Sequence, residues 1–500
     1  MTESSPYRVR FAPSPTGHVH LGSARTALYD YLIAQKTMGQ FILRIEDTDR
    51  KRLVEGAEEE LINSLHWLGI EWDEGPDKGG PFGPYRQSER KEIYQKYARE
   101  LVESGHAYYC FCSSERLNQV RQEKQQQKLQ PHYDGLCRAI PALEAEKRVN
   151  AGEPHVIRFK SPKEGTTVVK DLLRGEITFE NKNMDDFILV KTDGWALYHL
   201  AAIVDDYLMK ITHVIRGSEW LPTSQLHSQI WKAFGWEEPV WVHLSVFLKP
   251  SGKGKMSKRE AAELTNDGYS IFIKDLEKLG YLPEAVINWV ALMGWSYDDH
   301  TEFFSMQDLI EKFSLEKLNP SPAAINFSKL DHFNKEHIKK LSNKDLAGKI
   351  LPLFANMRLP SINIKHDNNK IKLQDIAPVI KERITTLDDS VELCEFIFKD
   401  IGFPEQSALV IADKTLAETG KIALDVLGLL TEISDWNADE IDLKMQKYME
   451  ENQLSPRQLL GFLREAIAGQ KVTPPLFESM AVLGKAACIE RIKRAIEVIG

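Results

Sequence analysis

Arg8 to Ala12 reads as a short buried strand. The Pro/Gly-rich stretch Pro13-Ser14-Pro15-Thr16-Gly17 separates it from apolar positions at Ala24, Leu28 and Leu32, which recur at helical spacing. A second strand is predicted at Phe41-Ile42-Leu43-Arg44-Ile45. Strand, loop, helix, strand is the order of a βαβ unit, and it predicts a parallel sheet with a ligand crevice beyond the carboxyl ends of its strands. From about Glu100 to His199 the rhythm changes to a polar run, Gln122 to Gln130, with short β segments, as an inserted domain would show. Asp186 to Val190 and Trp195 to Leu200 flank Thr192-Asp193-Gly194 and predict a hairpin with Asp-Gly at its turn. The α/β character resumes through Val214-Ile215-Arg216 and His243 to Phe247, and after about residue 330 amphipathic helices take over. Ser455 as cap, Pro456 in the first turn, Leu459, Leu463 and Ile467 on one face and Gly469 as stop define one of these helices. Ile489, Ile492, Ile496 and Ile499 define the last.

Composition narrows the class. The 500 residues, 42% apolar and 27% charged, describe a globular chain of about three or four domains. The longest apolar stretch, around Ala285 to Trp295, is far shorter than the roughly 20 residues of a membrane-spanning helix. The opening Met1-Thr2-Glu3-Ser4-Ser5-Pro6 has neither the basic nor the apolar region of a secretory signal, so a cytoplasmic location is expected. A net charge of −9 argues against indiscriminate nucleic-acid binding. Charge is nevertheless local: Asn334 to Lys372 carries nine Lys or Arg against three Asp or Glu. That district reads either as a solvated helical face or as a phosphate-backbone contact. Of five cysteines, three lie between Cys110 and Cys137, a clustering that points to metal and not to a disulfide framework.

Two segments carry candidate chemistry. In Pro13 to Ser23, which contains His18-Val19-His20-Leu21-Gly22, small residues allow close backbone approach to a ligand, and the following helix offers free N–H groups to an anion. Alone this is also the pattern of a structural turn. No third ligand stands near His18 and His20 to make a metal site. The second segment, Lys255-Met256-Ser257-Lys258-Arg259 after Ser251-Gly252-Lys253-Gly254, places four cations between Lys253 and Arg259, suited to neutralising a polyphosphate. Alone it reads as a solvated basic turn.

Together the two segments resemble the paired signatures of the class I aminoacyl-tRNA synthetases. Phe11 to Gly17, with Arg44-Ile45-Glu46-Asp47-Thr48-Asp49 downstream, narrows the resemblance to the glutamyl and glutaminyl branch, over Arg8 to Gly500. Ser23 stands where the class signature has a second histidine, which lowers the phosphate contact expected there. The helical C-terminal third resembles bacterial-type glutamyl-tRNA synthetases, since glutaminyl enzymes carry β-barrel anticodon domains. A glutamyl-queuosine synthetase fits less well, as those paralogues lack the anticodon region. A non-catalytic tRNA-binding relative is a further alternative.

The resemblance implies an α/β fold with a Rossmann-type class I catalytic domain in two halves, 1–99 and 200–330. Between them lies an acceptor-stem-binding insertion at 100–199, and a stem-contact junction at 331–385 and an all-α anticodon-binding domain at 386–500 follow. It implies ATP with Mg²⁺, L-glutamate and tRNA(Glu) as substrates, a monomeric state, and first transfer to the 2′-hydroxyl of the terminal adenosine. By motif position, His20, Lys255 and Lys258 are catalytic; His20, Gly22, Lys255, Ser257 and Lys258 bind ATP; and Arg10, Ser14, Glu46, Tyr198 and Arg216 bind glutamate. Read without the resemblance, Arg44, Glu46, Asp47 and Arg50 are surface ion pairs. Cys110, Cys112, Tyr133 and Cys137 resemble a structural zinc site of some bacterial members. Tyrosine is an unusual zinc ligand, Ala139 stands where other members have histidine, and His132 is the alternative fourth ligand.

Overall fold

The structure, a computed structural model, describes residues 6–254, 260, 263–264, 268–356 and 373–500. Lys255, Ser257 and Lys258, and residues 357–372 of the basic district, lie outside the described residues. The chain forms two compact units, Met1–Leu276 with Val286–Phe327, and Glu277–Ala285 with Ser328–Gly500.

In the first unit, strand β1 (Arg8–Phe11) pairs in parallel with β2 (Gln40–Leu43), from Arg8 opposite Gln40 to Phe11 opposite Leu43. Helix α1 (Leu21–Lys36) makes the crossover and buries Ala24, Leu28 and Leu32. This is the βαβ unit that the apolar spacing predicts. A second sheet of β3 (Ala107–Cys110), β4 (Val156–Phe159) and β7 (Ile188–Val190) is antiparallel and belongs to the interrupting stretch. In the same stretch, β5 (Thr166–Asp171) and β6 (Gly175–Glu180) form a hairpin. On the other side of β1, Thr212 N–H donates to Arg8 O at 2.9 Å and leads into β8 (His213–Gly217), which runs parallel to β9 (Val240–Leu244). β9 pairs in turn with β5 at Trp241 opposite Asp171.

One element differs from expectation. The Asp193-Gly194 turn forms, with Gly194 at φ +78°, and Leu197 N–H bonds Leu189 O at 2.8 Å. The second arm, expected to reach Leu200, stops there, because Tyr198–Leu208 is a helix. Leu200, Ala201, Ala202, Ile203 and Val204 are all buried, and burial on every side removes the polar face by which a helix announces itself in sequence.

The regular elements of the second unit are all helices among the described residues. Leu409, Val426, Met445, Leu463, Met480 and Ile492 belong to one buried cluster. The helix Pro456–Ala468 starts and stops where its signals stand: Gln458 Oε1 accepts from Ser455 N–H at 2.9 Å, and Gly469 takes the left-handed conformation at φ +63°. No helix among the described residues is long and apolar enough to cross a membrane.

Candidate functional site

Where β1 and β2 end, the chain continues to zip together. Arg44 N–H bonds Phe11 O at 3.0 Å and Glu46 N–H bonds Pro13 O at 2.9 Å, so the loop carrying exposed Ser14 runs beside Glu46. This is the crevice that a parallel sheet leaves beyond its carboxyl ends. His20 caps α1: its Nδ1 accepts from Gly22 N–H at 3.0 Å and Ser23 N–H at 3.3 Å. That role requires an unprotonated Nδ1 and places the ring over donors that would otherwise face an anion. A Cβ on Gly22 would stand 3.0 Å from the His20 ring, which accounts for the small residue. Leu21 N–H bonds Ile271 O at 2.8 Å and Ile273 N–H bonds Val19 O at 2.9 Å. The chain just beyond the second signature is thereby stitched to the first. His18 sits 2.5 Å from Glu60, which also takes Lys274 at 2.8 Å.

Four of the glutamate-binding candidates, Arg10, Glu46, Tyr198 and Arg216, occupy one connected electrostatic cluster. Arg10 meets Asp206 at 2.9 Å, and Arg44 bridges Asp206 at 2.7 Å and Glu46 at 3.0 Å. Arg44 is fully buried and Glu46 nearly so, which overturns the surface-ion-pair reading of these two residues. Burial alone would raise the Asp206 pKa, but Arg10 and Arg44 outweigh it and hold that carboxylate below its ordinary range. Burial prevails at Glu46 and shifts it upward despite Arg44 and Arg10. Burial, and then Glu46, raises the Tyr198 phenol. Its hydroxyl lies 3.5 Å from Arg216 Nη1. Arg216 is lowered by burial, and its Nη2 has no hydrogen-bond partner among the described residues. A buried guanidinium with an unmet donor is costly to the fold and suited to a ligand oxygen.

Cys110, Cys112 and Cys137 bring their sulfurs within 4.8 Å of one another. The Tyr133 hydroxyl lies 3.5 Å from Cys110 and 3.4 Å from Cys112, and it accepts from Cys137 N–H at 2.9 Å. The Cys112 and Cys137 sulfurs are 3.5 Å apart, close to the about 3.8 Å edge of a tetrahedron with 2.3 Å Zn–S bonds. His132 is not among the gathered ligand groups. Burial, with the neighbouring thiols, pushes Cys112 up to about 11, so the cluster resists full ionisation unless a cation joins it.

Comparison with known proteins follows the same lines. The family described as tRNA synthetases class I (E and Q), catalytic domain, matches residues 6–332, and an anticodon binding domain matches 345–496. The chain is 44% identical over 491 residues to the glutamate–tRNA ligase of Dehalococcoides mccartyi, covering 98% of this chain and 97% of that one. The chain belongs to the glutamate–tRNA ligase family. The Borreliella burgdorferi glutamate–tRNA ligase is 43% identical over 494 residues, covering 98% and 99%. A crystal structure of a glutamate tRNA ligase from Elizabethkingia meningosepticum in complex with its amino acid superposes with a TM-score of 0.89 at 36% identity, covering 99% of this chain and all of that one. Sequence reasoning about this glutamate–tRNA ligase family member missed the groups that hold its arginines. These are Asp206 under Arg10 and Arg44, Asp205 under Arg90 at 2.7 Å, and His227 and His243 beside Arg216. Asp205-Asp206 had a signal: two adjacent acids close the apolar run Leu200 to Val204.

Proposed function

We infer that this chain uses ATP to activate L-glutamate as glutamyl-adenylate and esterifies it to the 3′ end of tRNA(Glu). The observation that carries the reading is the unmet Nη2 of buried Arg216, set beside Tyr198 in a cluster with Arg10 and Glu46. A free dicarboxylic amino acid needs two cationic contacts and an anion for its ammonium. Arg10 and Arg216 serve the carboxylates and Glu46 the ammonium, and Tyr198 and Ser14 fix orientation. The α-carboxylate attacks the α-phosphorus of ATP, pyrophosphate leaves, and a terminal ribose hydroxyl of the tRNA then attacks the mixed anhydride. No side-chain nucleophile is needed, so catalysis is positioning plus charge stabilisation. His20 and Gly22 meet the triphosphate, which arrives with Mg²⁺, while Lys255, Ser257 and Lys258 follow the departing pyrophosphate.

Residues 100–199 receive the acceptor stem, 331–385 contact the stem and 386–500 read the anticodon, in a cytoplasmic monomer. The match of 345–496 to an anticodon binding domain, in a region helical where described, favours this reading over a glutaminyl enzyme or a glutamyl-queuosine synthetase. Retention of His20, Lys255 and Lys258 favours it over a non-catalytic tRNA-binding relative. The three thiolates and Tyr133 suit one zinc ion held for structure, away from the reacting groups; purified protein with less than about one-tenth equivalent of zinc by elemental analysis would remove this assignment. For the main reading, Arg216→Ala is expected to raise the glutamate KM about a hundredfold and the ATP KM less than threefold. Lys258→Ala is expected to slow pyrophosphate exchange at least a hundredfold with the melting midpoint unchanged. Equal changes in both KM values, or exchange near the wild-type rate, would contradict the assignment.

A further inference from the structure

Arg216 sits inside a hydrogen-bonded chain whose proton positions can be deduced. Asp171 Oδ2 accepts from His243 at both its N–H, 3.0 Å, and its Nδ1, 2.6 Å, while Asp171 Oδ1 takes the N–H groups of Leu173 and Arg174 at 3.0 Å. A carboxylate only accepts, so His243 carries its proton on Nδ1 and presents a lone pair at Nε2. Arg216 Nε–H donates to that lone pair at 3.0 Å. On the other side Arg216 Nη1, also a donor only, lies 3.0 Å from His227 Nδ1. His227 therefore holds its proton on Nε2 and donates it to His199 Nδ1, again at 3.0 Å. Two groups without a choice, one carboxylate and one guanidinium, fix every direction in the chain. Trp241 covers the Arg216 guanidinium at 4.9 Å. What remains open among the described residues is Nη2.

We propose that Asp171, His243 and His227 are positioning residues that lock the guanidinium plane of Arg216 and leave Nη2 as the donor for a substrate carboxylate. The proposal deepens the glutamate-binding reading of Arg216 and rests on it. The clamp requires neutral imidazoles, because a protonated histidine would set a second cation about 3 Å from the first. The charged and titratable groups facing the chain are Arg216, Asp171, Tyr198, Arg10, Asp206 and Arg174. Burial and then the Arg216 charge keep His227 far below the ordinary imidazole range, and the same two causes bring His199 to about 4. Burial also lowers His243, against the pull of Asp171.

The test uses the full-length enzyme and pairs each disruptive variant with one that keeps an acceptor in place. His243→Leu and His227→Leu remove the lone pairs facing Arg216, whereas His243→Gln and His227→Asn restore an amide oxygen. The leucine variants are expected to raise the glutamate KM about tenfold or more, with the ATP KM within about twofold; the amide variants should recover most of that loss. An unchanged glutamate KM in the leucine variants, or an equal rise in both KM values, overturns the clamp. Arg216→Lys in parallel separates the two ideas. If it raises the glutamate KM while the leucine variants do not, only the clamp fails; if it has no effect, the glutamate reading fails first. Should the leucine variants not fold, the wild type still decides. Side-chain ¹⁵N spectra of histidine-labelled enzyme, with His243 assigned by its loss in His243→Gln, are expected to show a neutral Nδ1–H ring from pH 8 to 6. An Nε2–H ring or an imidazolium overturns the proposal.

Discussion

Two buried arginines, one in each unit, differ in how their donors are spent. Arg491 is 8% exposed and Arg216 7%, so depth does not separate them. Arg491 is closed on backbone carbonyls: Nη1 donates to Ile467 at 2.5 Å, and Nη2 donates to Phe396 at 2.8 Å and Lys399 at 2.9 Å. Those carbonyls belong to the final turns of the helices Pro456–Ala468 and Asp389–Phe398 and to the C-cap Lys399, where unpaired C=O groups and the negative end of the helix dipole favour a cation. Arg216 instead donates to two imidazoles and leaves a nitrogen unmet among the described residues. Both terminal nitrogens of Arg491 end on the chain and serve the fold, whereas Arg216 is held by imidazoles with one terminal nitrogen left for the ligand proposed above.

The contrast can be tested hardest at Asp206, which serves Arg10 and Arg44 together. Asp206→Asn leaves two buried guanidiniums facing a neutral amide and is expected to cost about 3–5 kcal/mol, while also raising the glutamate KM; a variant that melts like the wild type would break the comparison. Arg491→Leu strands three carbonyls and is expected to destabilise the helical unit by about 2–4 kcal/mol, with the glutamate KM unchanged. Arg216→Ala measured beside it is expected to leave the melting midpoint in place. The smallest effect is on pH dependence. His199 and His213 are brought to about 4 by burial, and His227 and His243 are lowered as well. Each stays neutral in the fold while the unfolded chain takes up a proton near pH 6.5. Their contribution is complete above that pH and is lost as pH falls from about 6.5 toward 4. In the second unit burial lowers His337, one group against the four above, so calorimetry is expected to show the first unit's transition falling further between pH 7 and 5.

What was legible in the sequence follows from the range of each signal. Local signals held: the βαβ order, the Asp193-Gly194 turn and the Ser455 to Gly469 helix each rest on neighbouring residues. The boundary at Tyr198 failed because a helix buried on all sides loses its periodicity. Arg10, Glu46, Tyr198 and Arg216 were named together by motif position, and the structure brings these four into one electrostatic cluster. Their supports were out of reach of spacing arguments, since Asp171 and His243 are 72 residues apart and Arg10 and Asp206 are 196 apart. The double acid after an apolar run was the one readable clue.

Asp171 has a consequence for protein engineering. It stands at the end of β5, inside the stretch that interrupts the α/β fold, yet its oxygen holds an imidazole from the strand that resumes that fold. The interrupting stretch is therefore no interchangeable cassette. A chimera built by swapping it between relatives keeps or loses the proposed clamp on Arg216 according to whether the donor sequence brings an aspartate to meet His243.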